Sequence, residues 1–331
     1  MKKIRIAVIG VGGIGGGHLR IAKSCADVME PVAVCDVNSD IAKRVADEYN
    51  IDAHTDYKEL CQRGDIDAVI TALPHYLYGE VVCCALESGL HVLKEKPFAK
   101  TLSDAKCMID AAASSSKKLM VAGQNKFTAS FIKGKEIVAS KVLGDIFLTR
   151  GAIIYRWGGA IADAWSWRGT EELSGGVAII DAGWHILDLI HWYRGKPSAV
   201  YASVGTMKGA PNSTYDVDDK AVINLEYPDG GIGSIVSCYI TLPGETRATL
   251  HGVNGSLDVS GGNMTFILNG ETQEVSLPEQ PFDPMTAQMR HFAEMIQSDI
   301  ESEAGGQRAY EVMEIVDAAY HSARSRTRVE I

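Results

Sequence analysis

The 331-residue sequence has no C-x-x-C pair, no surplus of basic residues and only 7% aromatic residues, and the first two shortages each exclude a class of function. Seven cysteines, at 25, 35, 61, 83, 84, 107 and 238, are odd in number and lack zinc-ligand spacing, so neither a structural zinc site nor a disulfide framework is expected. Such cysteine usage suits a reducing cytoplasm. Lys and Arg total 32 against 42 Asp and Glu, a formal net charge of −10, which argues against a phosphate-binding nucleic-acid surface. Small molecules are the expected partners. The opening MKKIRIAVIG places basic residues before apolar ones, but glycines interrupt the apolar run too early for a signal peptide. No stretch reads as long enough to cross a bilayer, and no membrane partner is expected.

What is present is two grammars in one chain. At this length two domains are expected, because a single core rarely grows so far. Residues 1–123 alternate short apolar strands (IRIAVIG, PVAVCD, DAVITAL, HVLKEKP, KLMVAGQ) with segments long enough for crossover helices, which predicts an α/β, doubly wound parallel sheet. Residues 124–331 read differently. Strand-like runs such as DKAVINLEY and GIGSIVSCYI are separated by turn signals PDGG and NG, which predicts a C-terminal α+β domain with an open, mainly antiparallel sheet. One face of that sheet has no obvious helix to cover it. A homodimer or homotetramer formed through it is therefore expected.

The first strand runs into Gly10-Val11-Gly12-Gly13-Ile14-Gly15, a G-x-G-x-x-G between a strand and a predicted helix. In that context the first glycine permits a tight turn, the second lets the backbone approach a pyrophosphate and the third allows close packing of the helix. Asp36 ends the second strand 21 residues beyond Gly15, where a carboxylate accepts from a ribose 2′-hydroxyl. A 2′-phosphate would meet like charge there, and Val37-Asn38 supplies no arginine. NAD is expected as cofactor in preference to NADP.

IIDAGWHILDLIHW, residues 179–192, reads as one helix on which Asp181, His185, Asp188 and Trp192 share a sector about 60° wide, opposite Ile179, Ile186 and Ile190. Its core side is expected to be the isoleucine side. The polar stripe faces either water or a cleft. The ligand types would suit a metal, but no metal is expected, since hydride chemistry needs none. Just upstream lie Arg156, Trp157, Trp165, Trp167 and Arg168. Aromatic faces and guanidinium donors suit a polyhydroxylated ring, and Arg168 and Trp167 are the candidates for it.

Four features in order, G-x-G-x-x-G-x-x-H through His18, HVLKEKP, SGG at 174–176 and DAGWH, resemble the Gfo/Idh/MocA oxidoreductases, the family of glucose–fructose oxidoreductase and inositol dehydrogenase. The resemblance implies an N-terminal Rossmann domain, here residues 1–123. It also implies a C-terminal substrate-binding domain, here residues 124–331, whose open sheet face makes a dimer contact. It implies a dehydrogenase or reductase that transfers hydride between NAD(P) and a ring hydroxyl or carbonyl of a sugar or cyclitol. Matched by position, Lys96, Asp181 and His185 form the implied catalytic group, with Asp188 further along the motif. Gly10, Gly12, Gly13, Ile14, Gly15, Asp36, Pro74, His75, Glu95 and Lys96 are the implied cofactor contacts. Lys96, Arg168, Asp181, His185, Tyr78 and Trp167 are the candidates for substrate. One departure stands out: where the family reads Pro-Asn-x-x-His, this chain has Pro74-His75-Tyr76-Leu77-Tyr78. Two rival readings share these motifs, an NAD-dependent glycosidase or lyase with transient sugar oxidation, and a regulator that senses dinucleotide or sugar without turnover.

Overall fold

The computed structural model describes residues 3–156, 167–207 and 215–331. The chain divides into two compact units, Met1–Gln124 with Phe282–Tyr310, and Asn125–Pro281 with Glu311–Ile331.

In the first unit, β1 (Ile4–Ile9), β2 (Met29–Cys35), β3 (Asp52–His54), β4 (Ala68–Thr71), β5 (His91–Glu95) and β6 (Leu119–Ala122) form one sheet in the order β3-β2-β1-β4-β5-β6. Every pairing is parallel. The central strands are apolar because both faces are covered: all four residues of β4 are buried, and five of the six in β1. Crossover helices α1 (Gly13–Ser24), α2 (Ser39–Tyr49), α3 (Tyr57–Cys61), α4 (Tyr78–Glu87) and α5 (Leu102–Ser115) do the covering. Short polar side chains start several of them. Asn38 accepts from the N–H groups of Asp40 and Ile41, and Thr101 from that of Asp104.

Residues 282–310 return to this unit, whereas the sequence predicts a single boundary between 123 and 124. Asp283 caps the helix Pro284–Gln297, Arg290 pairs with Asp27, and the Val121 N–H donates to the Ala304 carbonyl at 2.9 Å. The returning segment thus satisfies a backbone donor that the edge strand β6 would otherwise leave open.

The second unit is built on nine strands: β7 (Ile146–Arg156), β8 (Ala199–Gly205), β9 (Lys220–Glu226), β10 (Ile232–Cys238), β11 (Ile240–Gly252), β12 (Gly255–Ser260), β13 (Met264–Leu268), β14 (Glu271–Gln273) and β15 (Val329–Glu330). Their order is β14-β13-β12-β11-β7-β10-β9-β8-β15. Among the described residues of this sheet, only β7 and β10 pair in parallel. β9 alternates exposed and buried without a break, so Ala221, Ile223 and Leu225 face the core. On the other face Tyr201, Val222, Ile232 and Val236 are exposed, and register places Val222 opposite Val236.

The Asp/His segment departs from a plain helix. A π-turn at Ala178–Ala182 precedes the regular helix Gly183–Arg194. Ile179, Ile186 and Ile190 are buried as expected, but so are Ile180, Trp184, Leu187, Leu189 and Tyr193. The expected amphipathic face gives way to burial almost all round. Glu171–Arg194 is also long and apolar enough to cross a membrane, contrary to the expectation that no stretch reaches that length. With 83% of the apolar window buried inside the protein, it serves as a core helix. Gly151 on β7 is what lets it approach the sheet: a Cβ there would lie 2.8 Å from the Ile186 side chain and 2.6 Å from that of Ile235.

Asp188 does not reach water from this helix. It accepts from Lys126 Nζ at 2.7 Å, with both side chains less than a tenth exposed. Removing one partner of such a pair strands the other charge, whereas replacing both removes the desolvation cost as well. Lys126→Met should therefore cost about 3–5 kcal/mol, and Lys126→Met with Asp188→Leu should recover most of it. Urea denaturation of the single and double variants measures the difference.

His91, at the start of β5, accepts from the Lys118 N–H through Nδ1 at 3.0 Å. Burial, with Lys117 and Lys118 adding to it, pushes its pKa down to about 4, against about 6.5 for an unfolded histidine. The unfolded chain then binds the proton first as pH falls. The stability contributed by neutral His91 is complete above about pH 6.5 and is lost as pH drops through about 4, amounting to at most about 3 kcal/mol. Urea midpoints at pH 7 and pH 4.5 should diverge more in the wild type than in His91→Gln. An equal loss in both would take His91 out of the acid response.

Candidate active site

The candidate cofactor residues of the first unit collect where its strands end. Gly10 follows β1 at φ +83°, and a Cβ there would lie 2.4 Å from the Ala72 carbonyl oxygen. A Cβ at Gly15 would lie 1.8 Å from the Gly10 carbonyl oxygen, so no other residue fits without moving the turn. Gly12 and Gly13 differ, with nothing within 4 Å of the same position. Their backbone is open to a ligand. Helix α1 starts there with no side-chain cap and no acidic residue in its first turn, which leaves its N-terminal end suited to an anion. Ile14 is half exposed beside it.

Asp36 follows β2 and ties this turn in place. One carboxylate oxygen accepts from the Val11 N–H and the other from the Asn38 N–H, each at 3.0 Å. Each oxygen retains a further lone pair for a hydroxyl donor. An uncapped helix start, two open glycines and this carboxylate together fit the pyrophosphate and ribose of a dinucleotide.

Pro74 and the buried His75 follow β4, and Glu95 and Lys96 come at the end of β5. Glu95 bonds to His18 Nε2 of α1 at 2.7 Å and accepts from the Lys96 N–H at 3.1 Å, so it links the glycine-rich helix to the Lys96 turn. Tyr78, a candidate for substrate, lies inside the first unit. It is enclosed, its hydroxyl accepts from the Leu73 N–H at 3.3 Å, and its ring lies 3.5 Å from Lys94 Nζ. The Tyr78 ring thus covers the Lys94 amine. Sequence alone does not single out Lys94, since a lysine near a strand end reads as exposed. It is fully buried and donates to the carbonyls of Glu95 and Pro97.

In the second unit, Asp181 lies in the π-turn and is fully buried. Its carboxylate accepts from Arg168 Nε at 3.2 Å and from the Tyr239 hydroxyl at 3.4 Å. Enclosed in this way, the carboxylate expected to contact substrate is held by Arg168 and Tyr239. Arg168 is partly exposed and stacks at 4.3 Å over the ring of Trp167. His185, partly buried, stands on the helix one turn beyond the π-turn. Arg156 ends β7 exposed, while Trp157 and Trp165 lie outside the described residues. Tyr155 packs on Tyr239 with ring centroids 4.8 Å apart, and burial pushes both phenols up, with the Asp181 charge adding to it.

Asp218 holds the π-turn from below. It accepts from the N–H groups of Val177 at 2.8 Å and Ile179 at 3.1 Å, and from the Tyr320 hydroxyl. Burial pushes its pKa up, and these three donors oppose the rise. A Cβ at Gly176 would lie 2.1 Å from that same hydroxyl, so the second glycine of SGG makes room for the buried pair. Neither Asp218 nor Tyr320 carries a sequence motif that would have found it.

Residues 4–123 match the family described as an oxidoreductase family with an NAD-binding Rossmann fold, and residues 131–258 match the GFO/IDH/MocA C-terminal domain. D-glucoside 3-dehydrogenase of Escherichia coli is 27% identical over 353 residues, covering 99% of this chain and 97% of its own. Inositol 2-dehydrogenase/D-chiro-inositol 3-dehydrogenase of Shouchella clausii is 29% identical over 192 residues, covering 57% of this chain and 52% of its own. The WlbA dehydrogenase of Bordetella pertussis, solved with NADH and UDP-GlcNAcA, superposes with a TM-score of 0.87 at 25% identity, over 100% of this chain and 99% of its own. With the Rossmann sheet and the mixed, mainly antiparallel sheet both in place, the chain belongs to the Gfo/Idh/MocA family of NAD-binding oxidoreductases.

Proposed function

We propose that this oxidoreductase transfers hydride between NAD(H) and a ring hydroxyl or carbonyl of a sugar, sugar derivative or cyclitol. The observation that carries the cofactor half is the open, uncapped glycine turn braced by Asp36. Its carboxylate favours a ribose hydroxyl and disfavours a 2′-phosphate by like-charge repulsion, so NAD is the preferred form. The substrate half rests on the glucoside and inositol dehydrogenases among the relatives. It is supported by Arg168 on the Trp167 face, a pairing that suits hydroxyls and C–H faces of a ring.

A secondary alcohol becomes a carbonyl by losing a hydride from carbon and a proton from oxygen. Bound at the glycine turn, NAD would accept the hydride. His185 is the proposed base for the proton, because imidazole is the side chain whose intrinsic basicity lies nearest neutral pH. Lys96, at the ligand-collecting edge of the parallel sheet, stabilises the negative charge that develops on oxygen. Asp181 fixes Arg168, which then meets a substrate hydroxyl. All seven cysteines are free thiols, a state that a reducing cytoplasm maintains.

Purified protein with NAD and a panel of sugars, glycosides and cyclitols should accumulate NADH with at least one member. Turnover without net NADH would favour the glycosidase or lyase reading instead. On the substrate found, His185→Ala should retain NAD affinity and lose about 10²- to 10⁴-fold in turnover, the range for general acid–base catalysis. Asp36→Ala should do the reverse, weakening NAD binding by fluorescence titration. Near-normal turnover in His185→Ala would remove the histidine from the base role.

The exposed apolar face of Tyr201, Val222 and Val236 is the proposed contact of a homodimer or homotetramer. Light scattering at micromolar concentration should give a multiple of the chain mass, and Val236→Asp should lower it. A monomeric wild type would refute the contact.

A further inference from the structure

Strand β5 is buried on both faces, and a fully buried lysine in it is an anomaly. An apolar residue would continue Val92 and Leu93 with no desolvation cost. Burial does push Lys94 well below the ordinary lysine value. Stability alone therefore gives no reason for a lysine at 94. Its surroundings do. The Nζ donates to the carbonyls of Glu95 and Pro97, the residues on either side of Lys96, and its remaining direction is covered by the Tyr78 ring at 3.5 Å. Three acceptors match the three N–H donors of an ammonium. A neutral amine would still donate to both carbonyls.

We propose that Lys94 is a positioning residue: it gathers the Glu95 and Pro97 carbonyls under Lys96, and Tyr78 acts with it as the lid over the Lys94 nitrogen. The inference rests on the reading of Lys96 as the group that meets substrate oxygen. It also gives a reason for the unusual phenol at 78. A tyrosine ring offers a π-face to a cation, and its hydroxyl pins the ring by accepting from the Leu73 N–H. The two departures, a lysine inside a buried strand and a tyrosine at 78, are thus one arrangement.

Two carbonyls that lose their donor, one of them buried, must find another or open the turn. Lys94→Met keeps the length and removes every donor, so amides in the peptide spanning residues 95–100 should exchange with deuterium at least 10-fold faster. The β1 and β4 amides should hold their rates. Tyr78→Leu should loosen the same peptide to a smaller degree, and Tyr78→Phe, which keeps the ring, should loosen it less than Tyr78→Leu. Combining Lys94→Met with Tyr78→Leu should add little, because both act on one contact. A substrate from the panel should then show kcat reduced at least 10-fold in Lys94→Met with the KM for NAD within about 2-fold. A merely structural lysine would raise exchange across the whole sheet, or nowhere, and would not separate kcat from KM.

If Lys94→Met does not fold, Tyr78→Leu carries the exchange test alone. Wild-type exchange at 95–100 in the folded variants would overturn the proposal even if the enzyme oxidises a sugar. Local loosening with no oxidisable substrate in the panel would instead count against the dehydrogenase reading and leave the positioning intact.

Discussion

Every turn that carries a candidate functional group in this protein faces the same difficulty: a strand or helix ends, and its backbone N–H or C=O groups must be paired although the surroundings are dry. Ionisable side chains, partly buried at Asp36 and buried at Lys94 and Asp218, solve it repeatedly. Asp36 takes the Val11 and Asn38 N–H groups, Lys94 takes the Glu95 and Pro97 carbonyls, and Asp218 takes the Val177 and Ile179 N–H groups. Leaving such groups unpaired costs about 1–3 kcal/mol each, more when one is charged. Each turn is therefore held in one shape. The result is a set of rigid supports, the kind of preorganisation that hydride transfer requires.

What was legible in the sequence is what these supports leave contiguous. The glycine motif reads out because its residues lie within one turn, and the steric reason for Gly10 and Gly15 is a contact with the same few atoms. Asp36 reads out because a strand and a helix of ordinary length separate it from Gly15. Asp218, by contrast, bonds to groups 41 and 39 residues away, and no periodicity reports that. Lys94 was hidden differently. KEKP looks like an exposed charge cluster, and nothing in the string shows that its first lysine points into the core. The return of residues 282–310 to the first unit is equally silent, because a helix carries no mark of which sheet it will cover.

The Asp/His segment shows where a simple rule fails for a definite reason. A wheel of 100° per residue assumes an unbroken α-helix from residue 179, but the regular helix begins at Gly183, after a π-turn. Its wider turn rotates Asp181 relative to the rest. A Cβ at Gly183 would lie 2.6 Å from the Ala178 carbonyl oxygen, so the glycine of DAGWH is tied to this irregularity. The motif thus encodes a bend in the helix as much as a set of chemical groups.

The two acids of that segment have different roles for an electrostatic reason. A buried ion pair adds little stability over apolar packing, so neither acid is explained by stability alone. Asp188 and Lys126 enclose one another, with 8% and 5% of their side chains exposed, and that charge stops inside the protein. Asp181 has no exposure, but its partner Arg168 has 26% and lies across an indole face. A fixed carboxylate holding a partly exposed guanidinium passes its constraint outward, toward anything that binds beside Trp167. Of the two, Asp181 is the acid whose buried charge is tied to a partly exposed group.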